Sequence, residues 1–375
     1  MSALVPLRHS GTQQDIPMIP GYEWIKKLPN KNIYFSLFEQ WPSITTDGWK
    51  QHNLPPGYDN YIVSFHLEAV DVAWLRQQKV SGPIFVLFDG DHYNLEIPGV
   101  HFIPFFYWHY QLKTMFDAFG LQPAKRPRYK FSAVTNRIIQ SRVWITTKLL
   151  EVARDSSLLI LNDWVEDKNV HSWQSTGNTT LDKLTQTFRD NYLGQKILID
   201  DFDTNRDKNE HTNSLVNPDN NKNSLACTNP WQPIYQDCAI HFANETFHYS
   251  YTVENGKEFI WPGPLLNEKT FKALLAGTAF VPVGQFNIYK ILSNLGLQFE
   301  YDFDTSWDLD PGNLSRAEGI VNLIDDLNQY TIEELVIKTE ESSKHNQNHI
   351  VTGKFFEQCH QKNEESVAQI FNLIC

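Results

Sequence analysis

The chain has 375 residues, which is more than a single hydrophobic core usually serves, so two domains are expected. Hydrophobic residues make up 41% of it and aromatic residues 13%, a composition that supports packed cores and excludes a disordered chain. Acidic residues outnumber lysine plus arginine by 44 to 32 and no long basic run occurs, which excludes duplex nucleic acid as a partner.

The cysteines and the most apolar segments indicate the compartment. None of the four cysteines belongs to a C-x-x-C pair, so we expect free thiols in a reducing compartment and no zinc site. The first 17 residues contain no apolar stretch of signal-peptide length, and the most apolar run, 102–108, is too short to span a bilayer. The sequence therefore predicts a cytoplasmic protein without a membrane span.

The first third of the chain alternates apolar, strand-like segments with helix-like ones. Strands are predicted at 33–38, 61–67, 83–88 and 100–106, and helices at 71–78 and 109–119. Short apolar strands separated by helices indicate a parallel sheet covered on both faces. We therefore expect an N-terminal α/β domain over residues 1–125, with the basic, proline-containing stretch 120–130 as the linker.

A second series of α/β segments predicts a C-terminal domain over residues 126–340. The predicted strands are 128–134, 158–161, 196–200 and 239–243, and the predicted helices are 138–152 and 316–328. Residues 204–233 are rich in asparagine and are expected to form a long excursion from this domain. The tail 341–375 carries a helical apolar stripe and is expected to dock back on the N-terminal domain.

The segment LLNEKTFKALLAGTAFVPVG, residues 265–284, has the pattern of a capped helix followed by a short strand. Asn267 is a favoured N-cap residue. Glu268 and Lys269 fall in the first helical turn, where the helix dipole and unpaired amides bind anions. Glu245 ends the preceding apolar strand, so both features are expected at the carboxyl edge of a parallel sheet, where α/β folds bind ligands.

These tracts resemble a known family of enzymes. FANETF, the segment 265–284 and the stretch 296–310 resemble the donor-binding half of α-1,3-fucosyltransferase-like glycosyltransferases, and more closely the bacterial and viral glycosyltransferases related to them. Glu245 matches the family's strand-end Glu, and Glu268 and Lys269 match the last two residues of its Thr-Glu-Lys triplet.

A second match is KFSAVTNRIIQSRVWITTKLLE, which is similar to the start of the family's C-terminal domain. Asn136 and Arg142 stand in place of the family's turn Asn and first-turn Arg. The resemblance covers residues 128–161 and 239–327.

This chain departs from the family pattern at several places. Asn267 replaces the family's Thr, Thr246 stands where the family has Asn, and residues 248–263 form an insert. A second alignment, with Glu254 and Asn255 as the Glu-Asn pair, stays open. The acidic stretch 301–310 lacks the spacing of a calcium-binding EF-hand and is interpreted as a packing or capping loop.

The resemblance implies a GT-B enzyme, in which two Rossmann-like α/β domains face a cleft and the C-terminal one holds a nucleotide-sugar donor. It implies inverting transfer to a hydroxyl of a glycan or glycoconjugate without a metal ion or other cofactor, with GDP-fucose as the leading donor. Arg142 and Lys269 would hold the diphosphate, and Glu245 and Glu268 would hold sugar or ribose hydroxyls. The donor-binding positions implied are Asn136, Arg142, Glu245, Asn267, Glu268 and Lys269.

Inverting transfer also needs a general base, which is expected at a strand end of the N-terminal domain. Glu68 follows an apolar strand and is the predicted base, with His66, Asp89 and Asp91 as further candidates. Asp89-Gly90-Asp91 is also the D-x-D pattern of metal-dependent GT-A glycosyltransferases, so a metal-dependent enzyme is one alternative. A non-catalytic α/β protein that binds a glycan or another partner is the second alternative.

Overall fold

The computed structural model describes much of the chain and divides it into two compact units. The described residues are 32–37, 53–65, 70–88, 96–106, 126–135, 139–161, 173–193, 197–199, 233–245, 251–254, 257–260 and 268–374, together with Lys113, Phe116 and Pro264. Unit 1 comprises residues 1–110, 249–265 and 356–375, and unit 2 comprises residues 111–248 and 266–355. Both units combine helices with a parallel sheet, so the predicted α/β class is confirmed.

Unit 1 is built on a four-stranded parallel sheet. In spatial order its strands are β1 (Ile33–Leu37), β2 (Asn60–Phe65), β4 (Ile84–Phe88) and β5 (Val100–Pro104). Every residue of β4 is buried, as its unbroken apolar run IFVLF indicates. The short helix α1 (Val72–Gln77) contributes Trp74 and Leu75 to the same core as Tyr61 and Val86.

A hairpin from a distant part of the chain belongs to unit 1. Its strands β10 (Tyr251–Glu254) and β11 (Lys257–Ile260) pair antiparallel, and β11 also pairs with β3 (Val70–Asp71). No strand is predicted here from the sequence, where the stretch stands out only as an insert. Asn255-Gly256 between the two runs is a local hairpin signal that the strand predictions do not use, whereas the pairing of β11 with the distant β3 has no local signal.

The C-terminal helix α9 (Lys354–Ile374) is bonded to the chain at the end of β5. Asn363 is fully buried; the N–H of Phe106 donates to its Oδ1 at 2.8 Å, and its Nδ2 donates to the Phe106 carbonyl at 3.1 Å. The Ser366 hydroxyl donates to the Pro104 carbonyl at 2.5 Å. These side chains satisfy main-chain groups beside an edge strand, much as a neighbouring strand would.

Unit 2 is built on a five-stranded sheet in the order β12-β9-β6-β7-β8. The strands are β6 (Tyr129–Thr135), β7 (Ser157–Leu161), β8 (Ile197–Ile199), β9 (Cys238–Asn244) and β12 (Ala279–Val283). Four of them are parallel, and the short edge strand β8 runs antiparallel to β7. An edge strand has one neighbour, so its direction is less constrained than that of a central strand.

Along the chain, the helices of unit 2 lie between and after the strands of this sheet. They are α2 (Gln140–Val152), α3 (Thr179–Asn191), α4 (Pro233–Gln236), α5 (Glu268–Ala276), α6 (Ile288–Asn294), α7 (Asn313–Asn328) and α8 (Ile332–Val351). The helix α8 begins with a capping box, in which Thr331 and Glu334 bind each other's main-chain N–H. Over the described residues, no helix is both long and apolar enough to cross a membrane.

The two units differ in outline from the predicted domains. The predicted ranges 1–125, 126–340 and 341–375 are continuous, whereas unit 1 is assembled from three separate stretches of chain. Strand pairing and helix docking join these stretches, and neither depends on closeness along the chain. The predicted excursion covers residues 204–233, of which 204–232 lie outside the described residues.

The order of strands in unit 2 reverses between β6 and β9. From β6 the chain passes through α2 to β7 on one side, whereas β9 lies on the other side of β6. In open α/β sheets such a reversal leaves a crevice outside the carboxyl ends of the two strands, and ligands bind there. The ends of β6 and β9 therefore mark the candidate functional site.

Candidate functional site

A chain of hydrogen bonds joins β9, β6 and α2 at the strand reversal. The Nδ2 of Asn244, the last residue of β9, donates to the Val134 carbonyl and to the Thr135 hydroxyl, both at 3.0 Å. The Thr135 hydroxyl is also bonded to the hydroxyl of Thr146 in α2, at 2.9 Å. Asn244 and both threonines are buried, so these bonds hold the three elements in one arrangement.

Arg142, a predicted donor-binding residue, is the third residue of α2 and is only 3% exposed. Its Nη2 and Nε donate to the main-chain carbonyl of Glu245 at 2.7 and 3.3 Å. A guanidinium is stable in the interior only where its N–H groups have acceptors, and this carbonyl is one of them. Arg142 is therefore held against the residue that follows β9.

Glu245 lies at the centre of the candidate site and is also buried. Its Oε1 accepts a hydrogen bond from the hydroxyl of Thr270, the third residue of α5. Its main-chain N–H donates to the carbonyl of Val283, at the end of β12, at 3.1 Å. The structure thus brings Arg142, Glu245 and the first turn of α5 together at the carboxyl edge of the sheet.

A second buried arginine lies at the end of the neighbouring strand β12. Arg316, in the first turn of α7, is fully buried, and its Nε donates to the Gly284 carbonyl at 3.0 Å. Its Nη1 donates to the Asp310 carbonyl at 2.8 Å, and its Nη2 donates to Oδ1 of Asn313 at 3.0 Å. Two guanidinium groups therefore hold the main chain just beyond two adjacent parallel strands.

The acidic stretch contributes a cap to α6. Asp308, in the short 3-10 turn Ser306–Leu309, accepts hydrogen bonds from the N–H groups of Ile288 and Tyr289, each at 3.0 Å. Burial raises the pKa of the Asp308 carboxyl to about 6, although these amide bonds and the charge of Arg316 act in the opposite direction. Within this stretch Asp308 therefore acts as a helix cap.

Several predicted positions lie outside the described part of the chain. These are Glu68, Asn136 and Asn267, together with the alternatives His66, Asp89 and Asp91. Glu268 and Lys269 are described through their backbone, as the first two residues of α5. Glu254, from the second alignment, lies in the hairpin of unit 1, whereas Glu245 follows a parallel strand of unit 2.

Five residues of this arrangement are not among the predicted site residues: Thr135, Thr146, Asn244, Thr270 and Arg316. Asn244 lies next to Glu245 in the motif FANET, and Thr270 lies next to Lys269 in the motif NEKT. These two residues could therefore have been predicted from the motifs that contain them. Arg316 had no such signal, because the Gly284 carbonyl that it binds is 32 residues away along the chain.

Two further findings bear on the site. Among the residues that the structure describes, no group of three His, Cys, Asp or Glu side chains is placed to hold a metal ion. No protein-family model, curated protein or solved structure matches the chain. The carboxyl edge of the unit 2 sheet is therefore the candidate site on the strength of its own geometry.

Proposed function

We propose that this protein is a glycosyltransferase that moves a sugar from a nucleotide-sugar donor to a hydroxyl of a glycan or glycoconjugate, with GDP-fucose as the leading donor. The convergence of Arg142, Glu245 and the first turn of α5 at the strand reversal carries the proposal. These are the groups that the resemblance to α-1,3-fucosyltransferase-like enzymes assigns to the donor.

The donor's diphosphate needs positive charge, which a chain of net charge -12 has to supply locally. Lys269 lies in the first turn of α5, and Arg142 is linked to that turn through Glu245. The start of a helix contributes about 0.3–1 kcal/mol to anion binding, and up to ~2 kcal/mol when partly buried. A hydrogen bond from a charged side chain contributes roughly 1.5–3 kcal/mol. We therefore assign most of the diphosphate affinity to the two cationic side chains.

The carboxylates of Glu245 and Glu268 are assigned to hydroxyls of the ribose or the sugar. A carboxylate has about four lone-pair sites, so Glu245 can accept a ligand hydroxyl in addition to that of Thr270. In the proposed reaction the acceptor oxygen attacks the anomeric carbon from the opposite face, the nucleoside diphosphate leaves, and Glu68 takes the acceptor proton. Asn136 and Asn267 complete the donor-binding set.

A thermal-shift panel of GDP, UDP, CMP and their sugars tests this proposal. A ligand at 100 times its Kd stabilises the protein by about 2.7 kcal/mol, so we expect a clear shift with GDP or GDP-fucose. Lys269→Ala should remove most of the shift, because it deletes one of the two cations. Lys344→Ala, an exposed lysine on α8, is the matched control and should leave it unchanged. A panel without any shift overturns the proposal and favours a non-catalytic binding protein.

The same panel distinguishes the metal-dependent alternative. The proposed site uses side-chain cations, so the shift with GDP should survive EDTA. A shift that disappears with EDTA and returns with Mn²⁺ favours an enzyme that uses Asp89 and Asp91.

A further inference from the structure

Gly284 and Glu245 contact each other just beyond the ends of β12 and β9. A Cβ at position 284 would lie 3.0 and 3.1 Å from Cβ and Cγ of Glu245, and 2.9 Å from Cδ1 of Ile288. Gly284 does not have a positive φ, so its backbone conformation is open to other residues. A side chain at position 284 would therefore displace the stem of Glu245 and the tip of Ile288, and this lack of space favours glycine here.

Arg316 fixes the position of this glycine. Its Nε binds the Gly284 carbonyl, while its other nitrogens bind the main chain and side chain at the start of α7. Burying an ionic group seldom adds net stability, because the loss of hydration offsets the attraction that is gained. We therefore assign a positioning role to Arg316. It holds Gly284 in place, and Gly284 in turn limits where the side chain of Glu245 can lie.

Several contacts therefore set the position of Glu245. Arg142 binds its carbonyl, the Val283 carbonyl accepts from its N–H, Thr270 binds its carboxylate, and Gly284 packs against its stem. We propose that Gly284 and Arg316 are positioning residues for the Glu245 carboxylate, which binds a hydroxyl of the nucleotide-sugar in the geometry that they set. This inference rests on the proposed function, since the position of Glu245 matters only if its carboxylate binds a ligand.

A double-mutant cycle with GDP and GDP-fucose as probes tests the inference. Ile288→Val is the background, because it removes the Cδ1 atom and leaves Glu245 as the neighbour that Gly284→Ala displaces. With Glu at position 245, Gly284→Ala should weaken GDP-fucose binding about tenfold, a coupling typical of residues in contact. With Glu245→Ala, the same change should alter the Kd by less than about twofold, since no carboxylate remains to be displaced.

The two probes also locate the hydroxyl. A coupling seen with both GDP and GDP-fucose supports binding of a ribose hydroxyl, and one seen with GDP-fucose alone supports binding of a sugar hydroxyl. Arg316→Lys should show the same dependence on Glu245, with its melting temperature as the check on folding. If that variant does not fold, the Gly284 cycle decides.

The outcomes separate this inference from the proposed function. An equal loss of affinity with Glu or Ala at position 245 overturns the positioning role and leaves the proposed function in place. If the wild-type protein binds neither probe, this inference is overturned. The proposed function is overturned as well only when no nucleotide or nucleotide-sugar of the panel gives a shift.

Discussion

At the scale of single residues, two buried arginines bind the main chain at the candidate site. Arg142 and Arg316 both donate to main-chain carbonyls that follow parallel strands. Loss of Arg142 would leave the Glu245 carbonyl without these bonds, at a cost of roughly 1–3 kcal/mol in stability. An Arg142 variant would therefore change folding and ligand binding together, and Lys269 is the cleaner position at which to test binding of the diphosphate.

Asp308 predicts a pH dependence of stability at the same scale. Its pKa is about 6 in the folded protein against 3.8 for an ordinary aspartate, so the folded state binds this proton more tightly than the unfolded state. The resulting stabilisation is fully present below pH 3.8 and is lost as the pH rises through about 6. We expect Asp308→Asn to remove this contribution. As the pH rises from 3.8 through about 6, the unfolding free energy of the wild type should therefore fall relative to that of the variant.

Urea denaturation at a series of pH values measures the Asp308 effect. Asp302→Asn, which changes an exposed aspartate paired with Lys338, serves as the control. A difference in unfolding free energy between wild type and Asp308→Asn that stays constant with pH would contradict the prediction.

Among the elements, α9 is joined to the chain just beyond β5 by a buried amide side chain. Asn363 binds both the N–H and the carbonyl of Phe106. Asn363→Ala removes both bonds, and we expect it to lower the free energy of unfolding by roughly 1–3 kcal/mol for each buried polar group left unsatisfied. Denaturation in urea measures the loss, and hydrogen exchange at the Phe106 amide locates it.

Lys362→Ala, a half-exposed neighbour on the same helix, is the matched control for Asn363→Ala. It changes the helix surface without touching Phe106. Equal stability of the two variants would show that the contact between Asn363 and Phe106 does not hold α9 to β5.

At the scale of the whole molecule, the C-terminal segment of the chain belongs to one of the two compact units. Residues 356–375 belong to unit 1 and lie outside unit 2. Deleting 356–375 should therefore expose β5 and reduce hydrogen-exchange protection in β2 and β4, while β6 and β9 stay protected. Deletion of 372–375 alone is the control, because it retains Asn363 and Ser366. Equal loss of protection in both sheets would show that the units do not fold separately.

Local patterns in the sequence were enough to predict the elements that position the site. Short runs rich in apolar residues indicate β6, β9 and β12, and the structure has a strand at each of them. The resemblance to α-1,3-fucosyltransferase-like glycosyltransferases implied that Arg142 and Glu245 belong to one donor-binding set, and the structure places the two residues in hydrogen-bond contact. Motif and periodicity thus specify which side chains stand at strand ends and helix starts.

Only the tertiary structure decided which distant segments meet. It assigns the hairpin 251–260 and most of α9 to unit 1, sets the direction of β8, and brings Arg316 to Gly284. The spacing of side chains determines which face of a segment is apolar, and therefore whether it forms a strand or a helix. The main-chain groups that pair strands and receive arginines are the same in every residue, so the sequence by itself does not identify their distant partners.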